Sequence, residues 1–409
     1  MAQAYKWQFK ARFRRGAYGW RGTKPAAQRL KEAVSEIKKV NRSDSLLAGE
    51  GAVSLMERLW PALEHIDSSS GILCNAVYRT LNELIPILIK ADADKKTRKK
   101  WMERLYDAVA DDGVDFLCPV QERWGEICVY DDLKNEWADF LCSGLKSCWQ
   151  TDQPGGHFVG TDICLSSLLE SGRYTELAKI ISLRKYTFWS YDKFYAEALL
   201  RQGRVDEAIR FAESRLKDDY GRQDILSFCE RALIESGRKE EAYLRYGLVI
   251  SEGTTYLATF RAIVKKYPEL DPRKILMDLI AQSDDKGAWF ASARQAGYLD
   301  IAKACAFSGS VEPKTLNRAA RDTIDTSPEF AAEIALRSVD LLLSGHGYEV
   351  TTLDVSEALR YLMTAAEKLN KVSWAVSGLK RLSQSRAAEY NGFGYQMVKD
   401  LIPRYDTVA

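Results

Sequence analysis

A short phrase recurs between residues 167 and 306 of this 409-residue chain, and it constrains the fold more than any other feature. Each copy has an apolar run, then a glycine, then a small residue five or six positions later. The copies are SLLESGRYTELAKI (167–180), ALLRQGRVDEAIRFA (198–212), ALIESGRKEEAYLRY (232–246) and SARQAGYLDIAKACA (292–306). The glycines are Gly172, Gly203, Gly237 and Gly297, at spacings of 31, 34 and 60 residues, and the small residues are Ala178, Ala208, Ala242 and Ala302.

The phrase predicts two helices joined by a tight turn. Glycine can end a helix in the left-handed conformation, which other residues enter only at a cost, and alanine lets the next helix pack closely. One hairpin cannot bury its apolar face alone, so successive hairpins are expected to stack. Elsewhere apolar residues recur at steps of three and four, as in Val77, Leu81 and Leu84, and convincing period-two strands are absent. We therefore predict an all-α fold.

The repeated segment resembles a known class of helical hairpins. Residues 160–310 are similar to tetratricopeptide-like repeats, most closely in LLRQGRVDEAIRFAE and LIESGRKEEAYLRYG. The repeats are degenerate, because the Trp-Leu-Gly pattern of the first helix is missing and the last spacing is almost doubled. The resemblance implies an α-solenoid and no activity. The whole chain also looks like an uncharacterised family of bacterial proteins, through FRRGAYGW (13–20), HIDSSSG (65–71), WGEIC (124–128) and TFRAIVKKYP (259–268).

A turn-rich stretch, TDQPGG at positions 151–156, has no apolar periodicity and predicts a domain boundary. We expect a basic aromatic N-terminal arm over residues 1–24 and a helical N-terminal domain over 25–150. An α-helical repeat domain should follow over 157–409.

Three local patterns predict details of single helices. The segment Asp354-Val-Ser-Glu357 is typical of a capping-box helix start. The serines at 68–70 are expected to cap a helix that begins near Ile72. Pro86 lies inside a helical pattern and predicts a kink or a break.

Charge is distributed unevenly along the chain, although the net charge is only +2. Residues 1–44 carry twelve Lys or Arg and three acidic residues, so this end is +9 and the remainder is −7. Such an asymmetry favours an anionic partner, or an arm that docks on its own acidic body.

Three interpretations of the arm stay open. If residues 4–15 are helical, Tyr5, Phe9 and Phe13 share one face, and the arm is a first helix that packs by its rings and ends at Gly16. Alternatively, its cations contact the phosphates of DNA or RNA while aromatic rings stack on bases. The candidate nucleic-acid-binding residues are Lys6, Lys10, Arg12, Arg14, Arg15, Tyr18, Trp20, Arg21 and Lys24. The third interpretation is electrostatic docking on the acidic repeats.

Aromatic residues are concentrated near the first repeat, beyond what one hairpin core obviously requires. Because Tyr and Trp contribute strongly to interfaces, some of them are expected to line a protein-binding surface. The candidates are Tyr186, Trp189, Tyr191 and Tyr195. The alternative is that these rings fill the junction between the N-terminal and repeat domains.

No pattern in the sequence predicts catalysis, a cofactor or a metal. The group Cys142, Cys148, His157 and Cys164 lacks the tight cysteine pair of structural zinc sites. His65 and Asp67 precede three serines, but a catalytic triad is defined by spatial geometry and not by adjacency. The loop GGHFVGT (155–161) lacks the Gly-Lys-Ser/Thr ending of a phosphate-binding loop.

A second basic cluster, KKTRKK at positions 95–100, is expected to lie on a solvated helix face behind a cap at Asp92 or Asp94. The eight cysteines have no regular spacing and are expected to be reduced, and no uninterrupted apolar window is long enough to span a membrane. We therefore expect a cytoplasmic protein.

These features favour a non-enzymatic scaffold or adaptor that holds another protein or peptide in the groove of a helical solenoid. The alternative is a nucleic-acid-binding protein that uses the basic arm. Neither function requires a cofactor.

Overall fold

The fold is described from a computed structural model of the chain that covers residues 5–150, 158–216, 221–250, 253–385 and 392–406. These residues form helices and turns and contain no strand, which confirms the all-α prediction. The predicted boundary at 151–156 lies outside the described residues. Contacts divide the chain into two compact units, Met1–Gly237 and Arg238–Ala409.

The first unit contains fourteen α-helices among its described residues. They are α1 (Phe9–Arg12), α2 (Thr23–Asn41), α3 (Ser45–Met56), α4 (Leu59–Leu63), α5 (Ile72–Lys90), α6 (Lys95–Ala110), α7 (Cys118–Glu122), α8 (Trp124–Cys128), α9 (Asp131–Gln150), α10 (Thr161–Glu170), α11 (Tyr174–Ser182), α12 (Trp189–Arg201), α13 (Val205–Glu213) and α14 (Arg222–Glu235). One hydrophobic core extends from Trp7 to Ala198 and joins the helices on both sides of residues 151–157.

The second unit contains ten α-helices in its described part. They are α15 (Lys239–Ala242), α16 (Tyr256–Lys266), α17 (Pro272–Gln282), α18 (Phe290–Gln295), α19 (Leu299–Ser308), α20 (Pro313–Thr323), α21 (Pro328–Leu343), α22 (Thr352–Lys368), α23 (Val372–Ser385) and α24 (Phe393–Asp406). A π-helical turn, Tyr243–Gly247, continues α15, and a 3-10 turn, Lys286–Trp289, precedes α18.

The helix pairs of both units are joined by the same turn. At Gly172, Gly203 and Gly297 the backbone is left-handed, with φ of 73°, 74° and 88°. The following residue donates its N–H five positions back, as from Arg173 to the Leu168 oxygen at 3.0 Å, which is the Schellman helix ending. Gly237 is also left-handed, at 81°. The predicted turn glycines are therefore confirmed.

The same turn also occurs where the repeated phrase is absent. Gly345 (φ 75°) ends α21, and Asn370 (φ 53°) separates α22 from α23. Lys371 donates to the Ala366 oxygen at 2.8 Å, which reproduces the bond after each turn glycine. Asparagine tolerates this conformation better than most residues with a side chain, so it replaces glycine here.

An ion pair follows three of the turn glycines. In the shared pattern Gly-Arg-x-x-Glu, the arginine precedes the second helix and pairs with the glutamate one turn later. The N–O distances are 2.6 Å for Arg173–Glu176, 2.6 Å for Arg204–Glu207 and 2.7 Å for Arg238–Glu241. The carboxylate lies in the first helical turn, where the helix dipole favours negative charge.

The central helix of the N-terminal bundle is α5, which packs against α2 and α3. Its buried stripe contains Leu73, Val77, Leu81, Leu84 and Leu88. In the described part of the chain, α5 is the one helix that is long and apolar enough to cross a membrane by length and composition. The buried stripe indicates that it serves as a core helix. It also continues through Pro86 to Lys90, so the helix does not break there, and the kink that was the other possibility stays a prediction.

The N-terminal arm docks on this bundle, but not as the predicted helix. Helix α1 covers only Phe9–Arg12 and ends before Gly16. Phe9 and Phe13 are buried as expected, whereas Tyr5 is 45% exposed and Trp7 is buried instead. Residues 5–7 precede α1 and are not helical, so helical spacing does not apply to them, and the predicted row includes Tyr5 in place of Trp7.

Two features hold the arm in place. A Cβ atom added at Gly51 of α3 would lie 2.3 Å from the Trp7 ring, so the glycine makes room for the indole. The Glu36 carboxylate accepts the backbone N–H groups of Gln8 at 2.8 Å and Phe9 at 3.3 Å. It thereby satisfies donors that α1 leaves free at its start.

Two predicted helix starts are corrected. Helix α22 begins three residues earlier than expected, because Thr351 is the cap and the Asp354 carboxylate accepts the Thr351 N–H at 2.7 Å. Helix α5 begins after Gly71, which is left-handed, and has no side-chain cap. The serine segment instead turns around Asp67, whose carboxylate accepts the Ser69 N–H at 3.0 Å.

The basic cluster at 95–100 is only partly solvated, which corrects the predicted exposed face. Asp94 caps α6 as expected and accepts the Thr97 N–H at 2.7 Å. Arg98, however, is buried and donates to the carbonyl oxygens of Leu88 at 2.5 Å and Ala91 at 2.9 Å. These oxygens lie at the end of α5, where the helix dipole favours a cation.

Candidate functional site

A groove of about 520 Å³ runs along the first helices of three successive helix pairs, α10, α12 and α14. Residues of α7 and α8 form its other wall. The whole groove lies within the first unit. Its lining combines a few large rings with many charged side chains.

The base of the groove is aromatic. Trp189, Phe194 and Phe228 line it and are almost fully buried, and the rings of Trp189 and Phe228 meet edge to face at 5.3 Å. Cations cover two of these rings, with Lys193 Nζ 5.6 Å from the Phe194 centroid and the Arg231 guanidinium 5.3 Å from that of Phe228. The base therefore offers an apolar contact surface beneath movable charged side chains.

Ion pairs cross the groove from helix to helix. Lys193 of α12 pairs with Glu122 of α7 at 2.6 Å, and Arg123 pairs with Glu126 at 2.6 Å within its own wall. Two further pairs join neighbouring helices; they are Arg201–Glu170 and Arg231–Glu197. Asp224, at the start of α14, has no ion-pair partner in the part of the chain that the structure describes. The lining is thus nearly neutral, with its charges mostly compensated in place.

The sequence contains a signal for this surface in the spacing of charged residues along α12. Lys193, Glu197 and Arg201 recur every four residues along α12, which places them on one helix face. Ser227, Arg231 and Glu235 repeat the pattern on α14. Alternating charges at this spacing usually indicate a solvated face, so the pattern alone gave no reason to select them.

The four candidate protein-binding aromatics are not gathered on one surface. Trp189 lies at the base of the groove, while Tyr186 is 39% exposed and does not line it. Tyr191 packs on Trp149 of α9 with centroids 5.8 Å apart, and Tyr195 packs on Phe211 of α13 at 4.9 Å. The Tyr191 contact joins α9 to α12, as the junction interpretation expects.

A buried ion pair lies beneath this junction. Arg184 and Asp192 pair with side-chain exposures of 2% and 0%, and Arg215 Nε lies 3.2 Å from Asp192 Oδ2. The Arg184 guanidinium lies over the rings of Trp149 and Tyr191 at 5.2 and 5.4 Å. This cluster fixes the start of α12 and so positions the groove.

The cationic candidates of the arm lie on its exposed side. Lys6, Lys10, Arg15, Arg21 and Lys24 are exposed and form no ion pair with any described residue. Arg14 is exposed and its Nε donates to the Ala11 carbonyl at 3.0 Å.

The aromatic candidates of the arm differ in exposure. Trp20 is 68% exposed, whereas Tyr18 is half-buried and its ring lies 5.9 Å from that of Phe13. Trp20 therefore remains available for stacking, while Tyr18 is largely used in docking the arm.

One cation of the arm is engaged within the bundle. Arg12 pairs with Glu32 of α2, which also pairs with Arg29 at 2.6 Å. With the Glu36 contacts, these bonds anchor the arm to α2 through acidic residues of the basic segment itself. The remaining cations of the arm are left on the surface.

The residues weighed for metal binding or catalysis have ordinary surroundings where they are described. The Sγ atoms of Cys142 and Cys164 are 3.6 Å apart in the core, and Cys148 is half-buried. His157 and the glycines at 155–156 lie outside the described residues. His65 is exposed and lies 3.6 Å from Glu64. Within the described ranges, no group of three possible ligands could hold a metal ion.

Comparison with known proteins gives no relative from which a function could be transferred. No protein-family model matches the chain. A search of curated proteins finds no similar sequence.

Proposed function

We propose that the protein is a non-enzymatic scaffold or adaptor, built on a tetratricopeptide-like solenoid, that binds a segment of another protein in the groove along α10, α12 and α14. The observation that carries this proposal is the aromatic base of Trp189, Phe194 and Phe228 beneath a set of ion pairs that cross three successive first helices. Stacked helical hairpins present such grooves to extended peptides and to helices of partner proteins.

The groove also indicates what such a segment must carry. An apolar side chain can displace the cations above Phe194 and Phe228 and contact the rings. Charged neighbours can exchange with the ion pairs of the wall, whose members are about one-fifth to two-fifths exposed. Because these pairs already compensate each other, net charge should contribute little, and binding should depend only weakly on salt.

The proposal places the protein in the bacterial cytoplasm and assigns it no cofactor. All eight cysteines are free thiols in the structure. Free thiols are typical of a reducing compartment.

The experiment is a selection of displayed random peptides on the intact protein, followed by fluorescence anisotropy of the enriched sequences. Ser227 is exposed and lines the groove, so Ser227→Trp obstructs the groove without entering the core. The matched control is Ser182→Trp, at an exposed serine that ends the outer helix α11. We expect the peptides to bind the wild type and Ser182→Trp equally, and Ser227→Trp at least about tenfold more weakly.

Two outcomes would contradict the groove proposal. One is that the enriched peptides bind Ser227→Trp as well as they bind the control. The other is that no sequence is enriched on the wild type beyond those enriched on Ser227→Trp in a parallel selection.

A second candidate function is nucleic-acid binding by the arm, supported by five exposed cations that pair with no carboxylate of the described residues, and by the exposed Trp20. Deleting residues 1–24 would remove Trp7, Phe9 and Phe13 from the core and destabilise the fold. Neutralising the exposed cations tests the charge of the arm without removing these rings. The variant carries glutamine at Lys6, Lys10, Arg15 and Arg21, and the control carries glutamine at the exposed Lys96 and Lys100 of α6.

The measurement is anisotropy of labelled single- and double-stranded oligonucleotides at several salt concentrations. If the arm binds phosphates, neutralisation should flatten the slope of log affinity against log salt by about one for each lost contact. Equal slopes for the arm variant and the control would remove the arm from the list of nucleic-acid sites.

A further inference from the structure

A second cavity of about 410 Å³ lies in the first unit, apart from the base of the groove. Four separate parts of the chain line it. They are Tyr78 of α5, the end of α6 with residues 112–122, residues 158–162, and residues 188–191. Its lining combines carboxylates with aromatic rings, and no arginine or lysine of the described segments lines it.

The feature that sets this cavity apart is the Asp162 carboxylate. Asp162 lies in the first turn of α10, and its Oδ1 atom is inaccessible to solvent and accepts no hydrogen bond from the residues that the structure describes. None of the described residues forms an ion pair with Asp162. A buried carboxylate oxygen without a donor is costly, and a proton or a positively charged ligand on the carboxyl group lowers that cost.

The electrostatic surroundings favour a positive ligand. The pKa of Asp162 is raised to about 7, mainly by burial and also by the negative charges of Glu122 and Asp115, while Lys193 lowers it. Lys193 is engaged by Glu122 at 2.6 Å. Burial also raises the pKa of Asp112, although its carboxylate accepts the Leu117 N–H at 2.8 Å.

The walls are suited to an organic cation. Tyr78, Phe158, Phe188 and Tyr191 line the cavity, and the rings of Phe188 and Tyr191 meet edge to face at 5.0 Å. Burial raises the pKa values of Tyr78 and Tyr191, so both phenols stay neutral near pH 7. Neutral aromatic faces beside carboxylates are the arrangement that binds alkylated ammonium groups.

We propose that this cavity is a binding site for a small organic ammonium group, primary or methylated, with Asp162 as its counter-ion and the four rings as its walls. The group can belong to a free amine or to a lysine side chain of a peptide. A divalent metal fits less well, because the described residues contain no cluster of three possible ligands. The site uses a side chain, Asp162, that does not line the groove.

The test is isothermal titration calorimetry of the full chain with n-butylammonium and tetramethylammonium. The neutral n-butanol is the probe control. Asp162→Asn removes the charge and keeps the shape, and Asp111→Asn is the matched control, at an exposed aspartate that does not line the cavity. We expect an ammonium probe to bind the wild type and the control alike, and Asp162→Asn about ten- to a hundredfold more weakly.

A second variant covers the case in which Asp162→Asn fails to fold. Asp115 is exposed, lines the cavity and has φ of 58°, a conformation that asparagine tolerates. Asp115→Asn should weaken ammonium binding by up to about fivefold, because the interaction lost is a solvated one.

The pH dependence gives an independent readout. The groups that face Asp162 are Asp112, Asp115, Cys118 and Glu122, then Tyr78, Tyr191 and Lys193. Burial raises the pKa of Cys118 to about 12, so its thiol does not ionise near neutrality. Ammonium affinity should therefore rise about tenfold between pH 6 and pH 8 in the wild type, as Asp162 loses its proton, and stay flat in Asp162→Asn.

Each outcome decides the proposal. Binding of butylammonium and of an acetylated lysine amide with similar strength supports a free ammonium site. Binding of the lysine amide alone also supports it and identifies a peptide as the source. Equal binding of butanol, equal affinity in Asp162→Asn, or no heat from butylammonium, tetramethylammonium or the lysine amide at up to about 10 mM overturns it.

Discussion

The buried pair of Arg184 and Asp192 allows a test of how the start of α12 is held. Truncating Asp192 to alanine removes the carboxylate that neutralises Arg184 and accepts the Phe188 N–H at 3.2 Å. The guanidinium then stays between the rings of Trp149 and Tyr191 without a counter-ion. Its Nε atom is already without a hydrogen-bond acceptor, so few alternatives remain for it.

The expected cost is large because both side chains are fully buried. Removing one member of a buried ion pair costs about 3–5 kcal/mol, while replacing both members by apolar residues is often close to neutral. Asp192→Ala should therefore destabilise α12 by about 3–5 kcal/mol. The double variant Arg184→Met with Asp192→Leu should cost much less, because Arg215 is about one-quarter exposed and can turn toward solvent.

Hydrogen exchange measured by mass spectrometry reports this locally. A loss of 3–5 kcal/mol corresponds to exchange of the α12 amides that is faster by roughly two to three and a half orders of magnitude. Peptides from α22, in the other compact unit, serve as the internal reference. The buried pair does not hold α12 in this way if Asp192→Ala changes α12 exchange by less than about threefold, or if the double variant loses as much protection as the single one.

Three further perturbations have expected outcomes. Gly51→Ala should displace the Trp7 ring and destabilise the docking of the arm by about 1–3 kcal/mol. A red shift of tryptophan emission reports the displacement. Gly19→Ala should not change the emission, because no atom lies within 4 Å of the added Cβ atom. Arg98→Met removes the donors at the end of α5 and should lower the urea midpoint of unfolding by more than Lys96→Met, since Lys96 is exposed. Asp162→Asn should alter the pH dependence of stability. The carboxyl group of Asp162 holds its proton up to about pH 7 in the native state and only up to about 3.8 in the unfolded state. The free energy of unfolding of the wild type should therefore fall as pH rises through this window, by up to about 4 kcal/mol. Asp162→Asn should lack this fall. Urea titrations at pH 5, 6, 7 and 8 measure that difference.

The turn glycines show what the sequence alone could predict. A glycine between two apolar runs is a local signal, and each predicted glycine is left-handed. Asn370 makes the same turn but does not match the pattern, which contains glycine at that position. Gly345 does not match the pattern either, because a longer segment, with Tyr348 and Glu349, separates it from the next helix, α22.

Arg98 shows why charged clusters are hard to interpret from sequence. Its neighbours Lys95 and Lys99 face Asp132 and Glu136 of α9 near the surface, as a basic helix face usually does. Arg98 lies between them in sequence but turns toward the end of α5. Only the crossing of α5 and α6 decides this, and helical periodicity carries no information about it.

The cavity around Asp162 could not be predicted from the sequence either, because it depends on how distant segments pack together. Its lining comes from residues as distant as Tyr78 and Tyr191, and none of the four segments carries a motif. Asp162 itself precedes the apolar run of α10 and looks like an ordinary acidic residue of a first helical turn. Its missing hydrogen-bond donor can be recognised only in three dimensions.

The two proposed sites share one wall, and this decides which variants can separate them. Glu122 lines both the groove and the cavity, and its partner Lys193 lines the groove while its charge acts on Asp162. A substitution at either residue would therefore change both sites at once. Ser227 lines only the groove and Asp162 only the cavity. A peptide that binds Ser227→Trp more weakly but binds Asp162→Asn normally occupies the groove and not the cavity. A peptide with a lysine that binds both variants more weakly occupies the groove and places its lysine side chain in the cavity.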